Sequence, residues 1–307
     1  MMYFKWLKYI ILIVVILLTL VYLIIHWCYA KNLSNARADK GLSYVQTPLG
    51  TIAYDYHQGK NDTTLIFIGG AGLGLRVWKK NFHVLKSHNY HQLRYDHFGR
   101  GFSDRLHYYD EDILYKQFKY LLQKMKVTKP IILVAYSMGA KIAYRFINEN
   151  PKKVNKLVLI DPVGVTNYRP SWYLKNQFLA NLATTYAWLP RAIDNQMDEF
   201  YNPENFPEYR EMLQQEIKIE GYKEAQIYFW TKVLNNNDLQ EIEAIGKLDI
   251  PILLIWGVND TRISVDYHQV YLEKIPQTIF RKIPKAGHAS MYEQSALVNS
   301  EIKEFLR

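Results

Sequence analysis

Short apolar runs recur along the chain from residue 65 onward, and each is bounded by Gly, Pro or Asp. Such runs are typical of strands buried on both faces of a parallel sheet. Amphipathic helical patterns lie between them, as from Asp110 to Lys126 and from Ser137 to Asn150. The pattern therefore predicts a three-layer α/β domain with a mostly parallel central sheet, and strands at Leu65–Gly69, His91–Asp96, Pro130–Tyr136, Lys156–Asp161 and Pro251–Gly257.

Two further patterns flank these strands. The segments SYVQT and GTIAYDYH alternate apolar and polar residues around Pro48, Leu49 and Gly50, which predicts an antiparallel hairpin. At the other end, an apolar segment, TIFRKIP, is followed by a predicted final helix from Ser290 to Leu306. The hairpin and this helix complete the predicted domain.

A separate apolar stretch occupies the N-terminus. From Tyr9 to Ala30 there is no Lys, Arg, Asp or Glu, and this length of helix spans about 33 Å, close to the hydrocarbon thickness of a bilayer. The length favours an uncleaved transmembrane anchor over residues 1–30. A signal peptide is the alternative, but its apolar region is shorter and a small-x-small site follows closely. Ala36-Arg37-Ala38 has that pattern well beyond the apolar run.

The charges around the anchor give little information about its orientation. Lys5 and Lys8 precede the apolar stretch, while Lys31, Arg37 and Lys40 follow it, so the positive-inside rule is nearly balanced. Because the tail before the helix is very short, we expect a single-pass cell-membrane protein with its large domain outside the cytoplasm. A linker over residues 31–42 would join the anchor to that domain.

Residues 162–246 interrupt the alternation of strands and helices. They show helical patterns without a convincing strand, and they are rich in aromatic residues such as Trp172, Trp188 and Trp230. They hold 7 Lys and Arg against 12 Asp and Glu, in a chain with 38 against 29. We predict a helical lid over the strand ends, which divides the core into residues 43–161 and 247–307. The alternative is an ordinary helical excursion whose charges are merely solvated.

Composition excludes several classes of protein. With 49% hydrophobic and 22% charged residues, the chain is globular rather than disordered. One cysteine, Cys28, permits neither an internal disulfide framework nor a cysteine metal cluster. The net charge of +9 is spread along the chain without a nucleic-acid-binding motif, so we expect no nucleic-acid partner.

Ser137 is the first candidate for chemistry. It lies in VAYSMGA, directly after a predicted buried strand and directly before a predicted helix. A nucleophile at such a turn projects from strained backbone, and its neighbours two residues away must be small. Gly139 is one of these neighbours, and Ala135 stands where the motif usually has glycine. The motif alone is weak, since serine is also a favoured residue at a helix N-terminus.

A base and an orienting acid follow Ser137 in the chain. A serine nucleophile needs a base, and the base needs a carboxylate that fixes its tautomer. His288 lies in AGHAS and Asp260 in GVND, each in a loop after a predicted core strand, and therefore at the same edge of the sheet as Ser137. We predict a catalytic triad of these three residues. Asp161, at the end of an earlier strand, is the alternative acid.

Three further stretches complete a resemblance to a known family. GGAG (residues 69–72), DHFGRGFSD (96–104) and LIDPVG (159–164) stand in the order and spacing found in α/β hydrolases. From Leu65 to Arg307 the chain resembles the lid-bearing, serine esterase and peptidase-like branch of the α/β-hydrolase fold family. Here the oxyanion loop begins Gly69-Gly70, where that family usually has His-Gly.

The resemblance implies roles for individual residues. Ser137 would attack a carbonyl carbon, His288 would transfer its proton, and Asp260 would orient the imidazole. Backbone N–H groups of Ala71 and Met138 would stabilise the oxyanion. The resemblance implies no metal and no organic cofactor.

The expected function combines the triad with the anchor. We expect a membrane-anchored serine hydrolase that cleaves a lipophilic carboxylic ester, because the anchor concentrates lipid esters near the site and the predicted lid is aromatic. Hydrolysis of a carbon–carbon bond and aminopeptidase activity on the same triad are alternatives. A non-catalytic, membrane-tethered binding protein on a hydrolase fold is a further alternative.

Overall fold

An eight-stranded sheet forms the centre of the molecule. In the structure, a computed structural model that describes residues 2–37, 41–85 and 89–307, the strand order is β1-β2-β4-β3-β5-β6-β7-β8. The strands β1 and β2 pair antiparallel, as do β2 and β4, and all later pairs are parallel. Their bounds are β1 Ser43–Thr47, β2 Gly50–His57, β3 Asn61–Ile68, β4 Tyr90–Tyr95, β5 Ile131–Tyr136, β6 Val154–Ile160, β7 Ile252–Gly257 and β8 Ile279–Ile283.

The apolar runs form the buried centre of this sheet. Every residue of β5 and β7 is buried, because helices cover both faces of the central strands. The mostly parallel sheet and the hairpin of β1 and β2 are confirmed. The TIFRKIP segment contributes the edge strand β8, in which only Ile283 is fully buried.

The described residues form twelve α-helices. The bounds are α1 Met2–Cys28, α2 Leu33–Arg37, α3 Glu111–Lys124, α4 Gly139–Glu149, α5 Gln177–Ala183, α6 Ala192–Met197, α7 Pro207–Ile217, α8 Tyr222–Tyr228, α9 Leu239–Gly246, α10 His268–Lys274, α11 Ser290–Glu293 and α12 Ser295–Leu306. Residues of α3, α4, α9 and α10 share one apolar cluster with the sheet, and residues of α12 share another. Two apolar layers therefore enclose the sheet.

The prediction of one final helix from Ser290 to Leu306 is wrong. Gln294 has φ −113° and ψ 46°, outside the helical region, and separates α11 from α12. The carboxylate of Glu293, at the end of α11, accepts hydrogen bonds from the backbone N–H groups of Gly287 and Tyr201. These contacts hold α11 beside the loop that contains His288.

The segment between β6 and β7 is helical. Residues 162–246, hereafter the insertion, contain α5 to α9 and no strand of the sheet. Two of its helices continue into π-helical turns, α5 into Thr184–Trp188 and α8 into Phe229–Val233. The insertion begins at the carboxyl end of β6 and returns to the amino end of β7. Its residues Gln196, Gln226 and Trp230 line the same cavity as Ser137, which follows the carboxyl end of β5.

The N-terminal helix α1 contains a segment, Trp6–Ile25, that is long and apolar enough to cross a membrane; a signal sequence satisfies the same criteria. Beyond α1, the chain is bonded to the insertion: the N–H of Lys31 donates to Lys218 O (2.8 Å), and the N–H of Glu220 donates to Lys31 O (3.0 Å). In α2, Leu33 and Ala36 are buried against Phe102 and Ile219. Residues 31–37 of the predicted linker are therefore packed, while residues 38–40, which include Ala38 and Lys40, lie outside the described residues.

Candidate active site

Ser137 lies on a strained turn between β5 and α4. Its φ is +49°, in the left-handed region that side chains other than glycine rarely adopt. The N–H of Ser137 donates to Ile160 O (3.1 Å), which fixes the turn to the end of β6. A Cβ at Gly139 would lie 2.5 Å from Ile68 O, so this position has no room for a side chain. The turn thus presents the Ser137 hydroxyl at the carboxyl end of the sheet.

Ala135 occupies ordinary strand structure just before this turn. It pairs with Ile68 of β3 on one side and with Leu159 of β6 on the other, and it is completely buried. Its methyl group belongs to the apolar cluster that also holds α4. Alanine is therefore accommodated where the motif usually has glycine, because the close approach occurs on the other side of Ser137, at Gly139.

We predict that Ala135→Gly lowers stability without removing activity. Glycine in a strand costs conformational entropy, and the lost methyl group is buried, so the free energy of unfolding should fall by roughly 1–2 kcal/mol. Denaturant unfolding and ester hydrolysis by the purified full chain would measure both effects. A stabilised or inactive Ala135→Gly variant would contradict this account of the turn.

His288 and Asp260 join Ser137 in a hydrogen-bonded chain. His288 Nε2 lies 2.9 Å from Ser137 Oγ, and His288 Nδ1 lies 2.8 Å from Asp260 Oδ2. The other oxygen of Asp260 accepts the backbone N–H groups of Arg262 (2.8 Å) and Ile263 (2.9 Å). Side chains from three separate loops are thus brought together in the arrangement that a nucleophile, a base and an orienting acid require.

Asp161 lies nearby but serves a different set of contacts. Its two carboxylate oxygens accept the backbone N–H groups of Gly257 (2.8 Å) and Ser290 (3.0 Å), and it is fully buried. Burial and, after it, the charge of Asp260 raise the pKa of Asp161 to about 8. The structure therefore places Asp260, and not Asp161, at the Nδ1 atom of His288.

The electrostatics of the pair follow from its geometry. Burial opposes charge on both groups, but the Asp260 carboxylate outweighs it and raises the pKa of His288 above its ordinary value. Burial likewise raises the pKa of Asp260, yet His288 and the two backbone donors more than offset this and hold that pKa below its usual range. Asp260 is therefore ionised wherever His288 titrates.

We predict a pH–rate profile that rises through a midpoint above 6.5, the ordinary pKa of histidine. Only the neutral imidazole can accept a proton from Ser137, so activity increases as His288 loses its proton. Asp260→Asn removes the charge that raises this pKa, and its midpoint should move to lower pH. The pH dependence of labelling by a fluorophosphonate checks both profiles, and an unshifted midpoint in the variant would contradict the assignment.

The GGAG loop passes directly beside Ser137. A Cβ at Gly70 would lie 3.1 Å from the Cβ of Ser137, and Ala71 lines the same cavity as Ser137. Met138 is the N-cap residue of α4, so its backbone N–H belongs to a helix N-terminus, where the helix dipole favours negative charge. Ala71 and Met138 thus both lie close to Ser137, and their role as oxyanion donors stays a prediction.

Two side chains that the sequence did not assign to the site support this loop. His97 Nε2 lies 2.9 Å from Gly69 O, and the Nε of Arg100 donates to Ala71 O (2.5 Å). Burial lowers the pKa of His97 to about 4, so its ring is neutral and donates to the carbonyl through Nε2. Both residues come from the DHFGRGFSD turn, and His97 supports a loop that lacks the histidine usual in the family.

A cavity of about 640 Å³ opens above Ser137, a size that suits small organic ligands. Strand-end loops and the insertion form its walls, with Val163, Trp188, Trp230, Leu234 and Ile263 among the apolar lining residues. Lys141 also lines it, four residues after Ser137 on α4, and its ammonium contacts Asp238 (2.6 Å) and Glu111 (3.3 Å). Lys141 follows Ser137 by four residues, and this spacing is the sequence signal that could have identified Lys141 as a lining residue.

The insertion contacts the histidine loop through its backbone. Glu199 O accepts the N–H of His288 (2.8 Å), and a Cβ at Gly287 would lie 2.1 Å from the same oxygen. The side chain of Glu199 lines the cavity and pairs with Arg262 (3.3 Å). The insertion is therefore part of the site's framework as well as a wall of its cavity.

Comparison with known proteins decides the family. A sequence model of the alpha/beta hydrolase fold matches residues 63–295, most of the chain. This chain belongs to the α/β-hydrolase fold family. The family and the fold class expected from the sequence are confirmed, and Ser137, His288 and Asp260 of the hydrolase lie together at the carboxyl edge of its sheet.

Individual relatives of the hydrolase are distant. It is 22% identical to hydrolase YugF of Bacillus subtilis, over 83% of this chain and 94% of the relative. It is 23% identical to 2-hydroxy-6-oxononadienedioate/2-hydroxy-6-oxononatrienedioate hydrolase 2 of Pseudomonas putida, over 81% and 89%. The structure of a thermophilic esterase from Thermogutta terrifontis matches with a TM-score of 0.70 and 20% identity, over 87% and 98%.

Proposed function

We propose that this hydrolase is a membrane-anchored serine esterase that cleaves a lipophilic carboxylic ester. The proposal rests chiefly on the continuous hydrogen-bonded chain from Ser137 Oγ through His288 to Asp260 Oδ2. Ser137 is 8% exposed and lines a cavity, so a substrate carbonyl can reach it. An ionised Asp260 and a titratable His288 supply the remaining requirements of acyl transfer.

The proposed mechanism assigns a residue to each step of ester cleavage. His288 Nε2 accepts the proton of Ser137 as Oγ forms a bond to the carbonyl carbon. The carbonyl oxygen becomes negative and accepts hydrogen bonds from the N–H groups of Ala71 and Met138. The intermediate collapses to an acyl-enzyme as His288 returns the proton to the leaving alcohol. A water molecule then repeats the sequence, releasing the acid and restoring Ser137 without a metal or an organic cofactor.

The lining of the cavity and the N-terminal helix favour a lipophilic substrate. Trp188 and Trp230 pack edge to face, with ring centroids 5.0 Å apart, and both line the cavity with Leu234 and Val163. The charged residues there are already paired, Lys141 with Asp238 and Arg262 with Glu199. An acyl chain would lie against these four apolar side chains, beside the polar lining residues Gln196 and Gln226. Anchoring through α1 would keep the site near lipid esters.

A chain-length series of p-nitrophenyl esters tests this function with the purified full chain. We expect kcat/KM to rise with the length of the acyl chain, by up to about fourfold for each buried methylene, until the cavity is filled. A fluorophosphonate probe should label Ser137. The absence of both labelling and turnover would refute the esterase and favour a binding protein.

The relative from Pseudomonas putida supplies the substrate class of the main alternative. A 2-hydroxy-6-oxodienoate should be a poor substrate, because the described lining residues offer no unpaired cation for its carboxylate. Aminoacyl anilides should also be poor substrates, because the described lining residues offer no unpaired carboxylate for an amino group. If the kcat/KM for the dienoate or for an anilide exceeds the kcat/KM for every ester, the triad would be assigned to carbon–carbon or to peptide hydrolysis instead.

A further inference from the structure

An exposed apolar stripe runs along one helix of the insertion. Helix α5 continues into the turn Thr184–Trp188, and Phe178, Leu182 and Tyr186 recur on it at intervals of four residues, which places them on one face. Phe178 is 70% exposed and Leu182 40%. Trp172 and Tyr173 are exposed in the turn before α5. We call Trp172, Tyr173, Phe178 and Leu182 the apolar lid face.

This stripe ends against the N-terminal helix. The hydroxyl of Tyr186 donates a hydrogen bond to Leu18 O (2.8 Å), in the middle of α1. The segment that could cross a membrane ends at Ile25, and seven residues of helix correspond to about 10 Å. Tyr186 therefore meets α1 about 10 Å inside the end of that segment. If α1 spans a bilayer, the apolar lid face adjoins the outer part of the same leaflet.

The charge of this part of the insertion differs from that of the rest. Residues 162–193 contain Arg169, Lys175 and Arg191 and no Asp or Glu, whereas all the acidic residues of the insertion follow residue 193. All three cations are exposed. Cations beside exposed tryptophan, tyrosine and phenylalanine suit the boundary between anionic headgroups and acyl chains.

A second cavity shares a lining residue with the cavity that contains Ser137. It has a volume of about 890 Å³ and is lined by Leu174 and Lys175, which directly follow Trp172 and Tyr173 in the chain, and by Ile227. Tyr168 lines both this cavity and the one that contains Ser137. The two cavities thus adjoin at one aromatic side chain, on the side of the insertion that carries the apolar lid face.

We propose that the apolar lid face lies in the headgroup and acyl-chain boundary of the bilayer that holds α1, and that lipid esters reach Ser137 from the bilayer past Tyr168. A bilayer is the occupant because the stripe is bonded to the candidate membrane helix, is interspersed along the chain with the exposed cations Arg169, Lys175 and Arg191, and is far more exposed than the apolar residues of the protein core. The delivery of substrate rests on the proposed esterase function; the membrane contact does not.

Site-specific fluorescence tests the contact in the intact protein. Cys28 is the only cysteine, so Cys28→Ser provides a background for Leu182→Cys labelled with an environment-sensitive nitrobenzoxadiazole. Leu297→Cys on α12 is the matched control, because Leu297 is 38% exposed and α12 packs on the sheet. In vesicles of phosphatidylcholine and phosphatidylglycerol, doxyl-labelled lipid should quench the label at position 182 and not at 297. Equal quenching at the two positions would overturn the proposal.

Kinetics test the delivery of substrate. Phe178→Ser combined with Leu182→Ser should lower the rate on an ester embedded in the vesicles roughly tenfold, because the apolar contact with lipid is lost. The rate on water-soluble p-nitrophenyl acetate should not change, and Leu297→Ser should change neither rate. An equal fall on both esters would overturn delivery from the bilayer. Quenching at position 182 in a protein without esterase activity would refute the proposed function and leave the membrane contact standing.

Discussion

Ser137→Ala should abolish ester hydrolysis, with kcat falling by a factor on the order of 10⁵ to 10⁶. The variant lacks the only oxygen that lies within hydrogen-bond distance of His288 Nε2 in the described structure, so neither acyl-enzyme formation nor covalent labelling can occur. Residual turnover would come from the remaining cavity and oxyanion donors acting on water. Steady-state kinetics and mass spectrometry of the probe-treated protein measure both losses.

The control for this variant should keep the turn intact. Alanine at position 137 retains the Cβ and leaves the backbone bond to Ile160 in place, so circular dichroism and melting temperature should match those of the parent protein. Ser264→Ala removes an exposed hydroxyl that bonds Asp266 and does not line the cavity, and it should retain full activity. Fluorophosphonate labelling of Ser137→Ala at the parent rate would remove Ser137 from the mechanism.

Asp260→Asn should have the second-largest effect, a fall in kcat on the order of 10³ to 10⁴. Asp260 Oδ2 accepts hydrogen bonds from both His288 Nδ1 and Trp256 Nε1. An amide nitrogen at that position would oppose two N–H donors, and the imidazole would lose both its tautomer and the charge that stabilises imidazolium. Steady-state kinetics should show this loss in kcat, with KM little changed.

Asp161→Asn is the matched comparison, since the carboxylates of Asp161 and Asp260 are both buried and both bond the loop that contains His288. Asp161 holds backbone N–H groups of Gly257 and Ser290, and an amide nitrogen would face one of them. We expect kcat to stay within about tenfold, and the free energy of unfolding to fall by about 1–3 kcal/mol. A loss of kcat larger than that of Asp260→Asn would move the orienting acid to Asp161.

The parts of the site that were predictable from sequence lie next to elements with local signatures. Ser137 follows a continuous apolar run and precedes a helical pattern, and both are properties of adjacent residues. Asp260 and His288 lie in loops after further apolar runs, and parallel strands bring such loops to one edge of a sheet. The periodicity of side chains therefore placed all three at one edge of the sheet, while their roles rested on the chemistry of a triad and on the family resemblance.

The supporting contacts were not predictable in the same way. Arg100 bonds Ala71, and Glu199 bonds His288, across long separations in sequence that no local pattern encodes. The break between α11 and α12 at Gln294 was not predicted for a related reason. The helical pattern there is regular, but Glu293 accepts hydrogen bonds from the backbone N–H groups of Gly287 and Tyr201, which hold the end of α11 against other parts of the chain.

The bond from His288 N–H to Glu199 O has a consequence for engineering and for divergence among relatives. An insertion taken from another α/β hydrolase would have to supply a carbonyl at the same point, against a Gly287 that tolerates no Cβ there. Exchanging this segment wholesale would therefore disturb the base along with the substrate pocket. We expect a different result from chimeras whose crossovers lie inside the insertion and leave residues 194–201 native. Such chimeras should change substrate preference while preserving turnover.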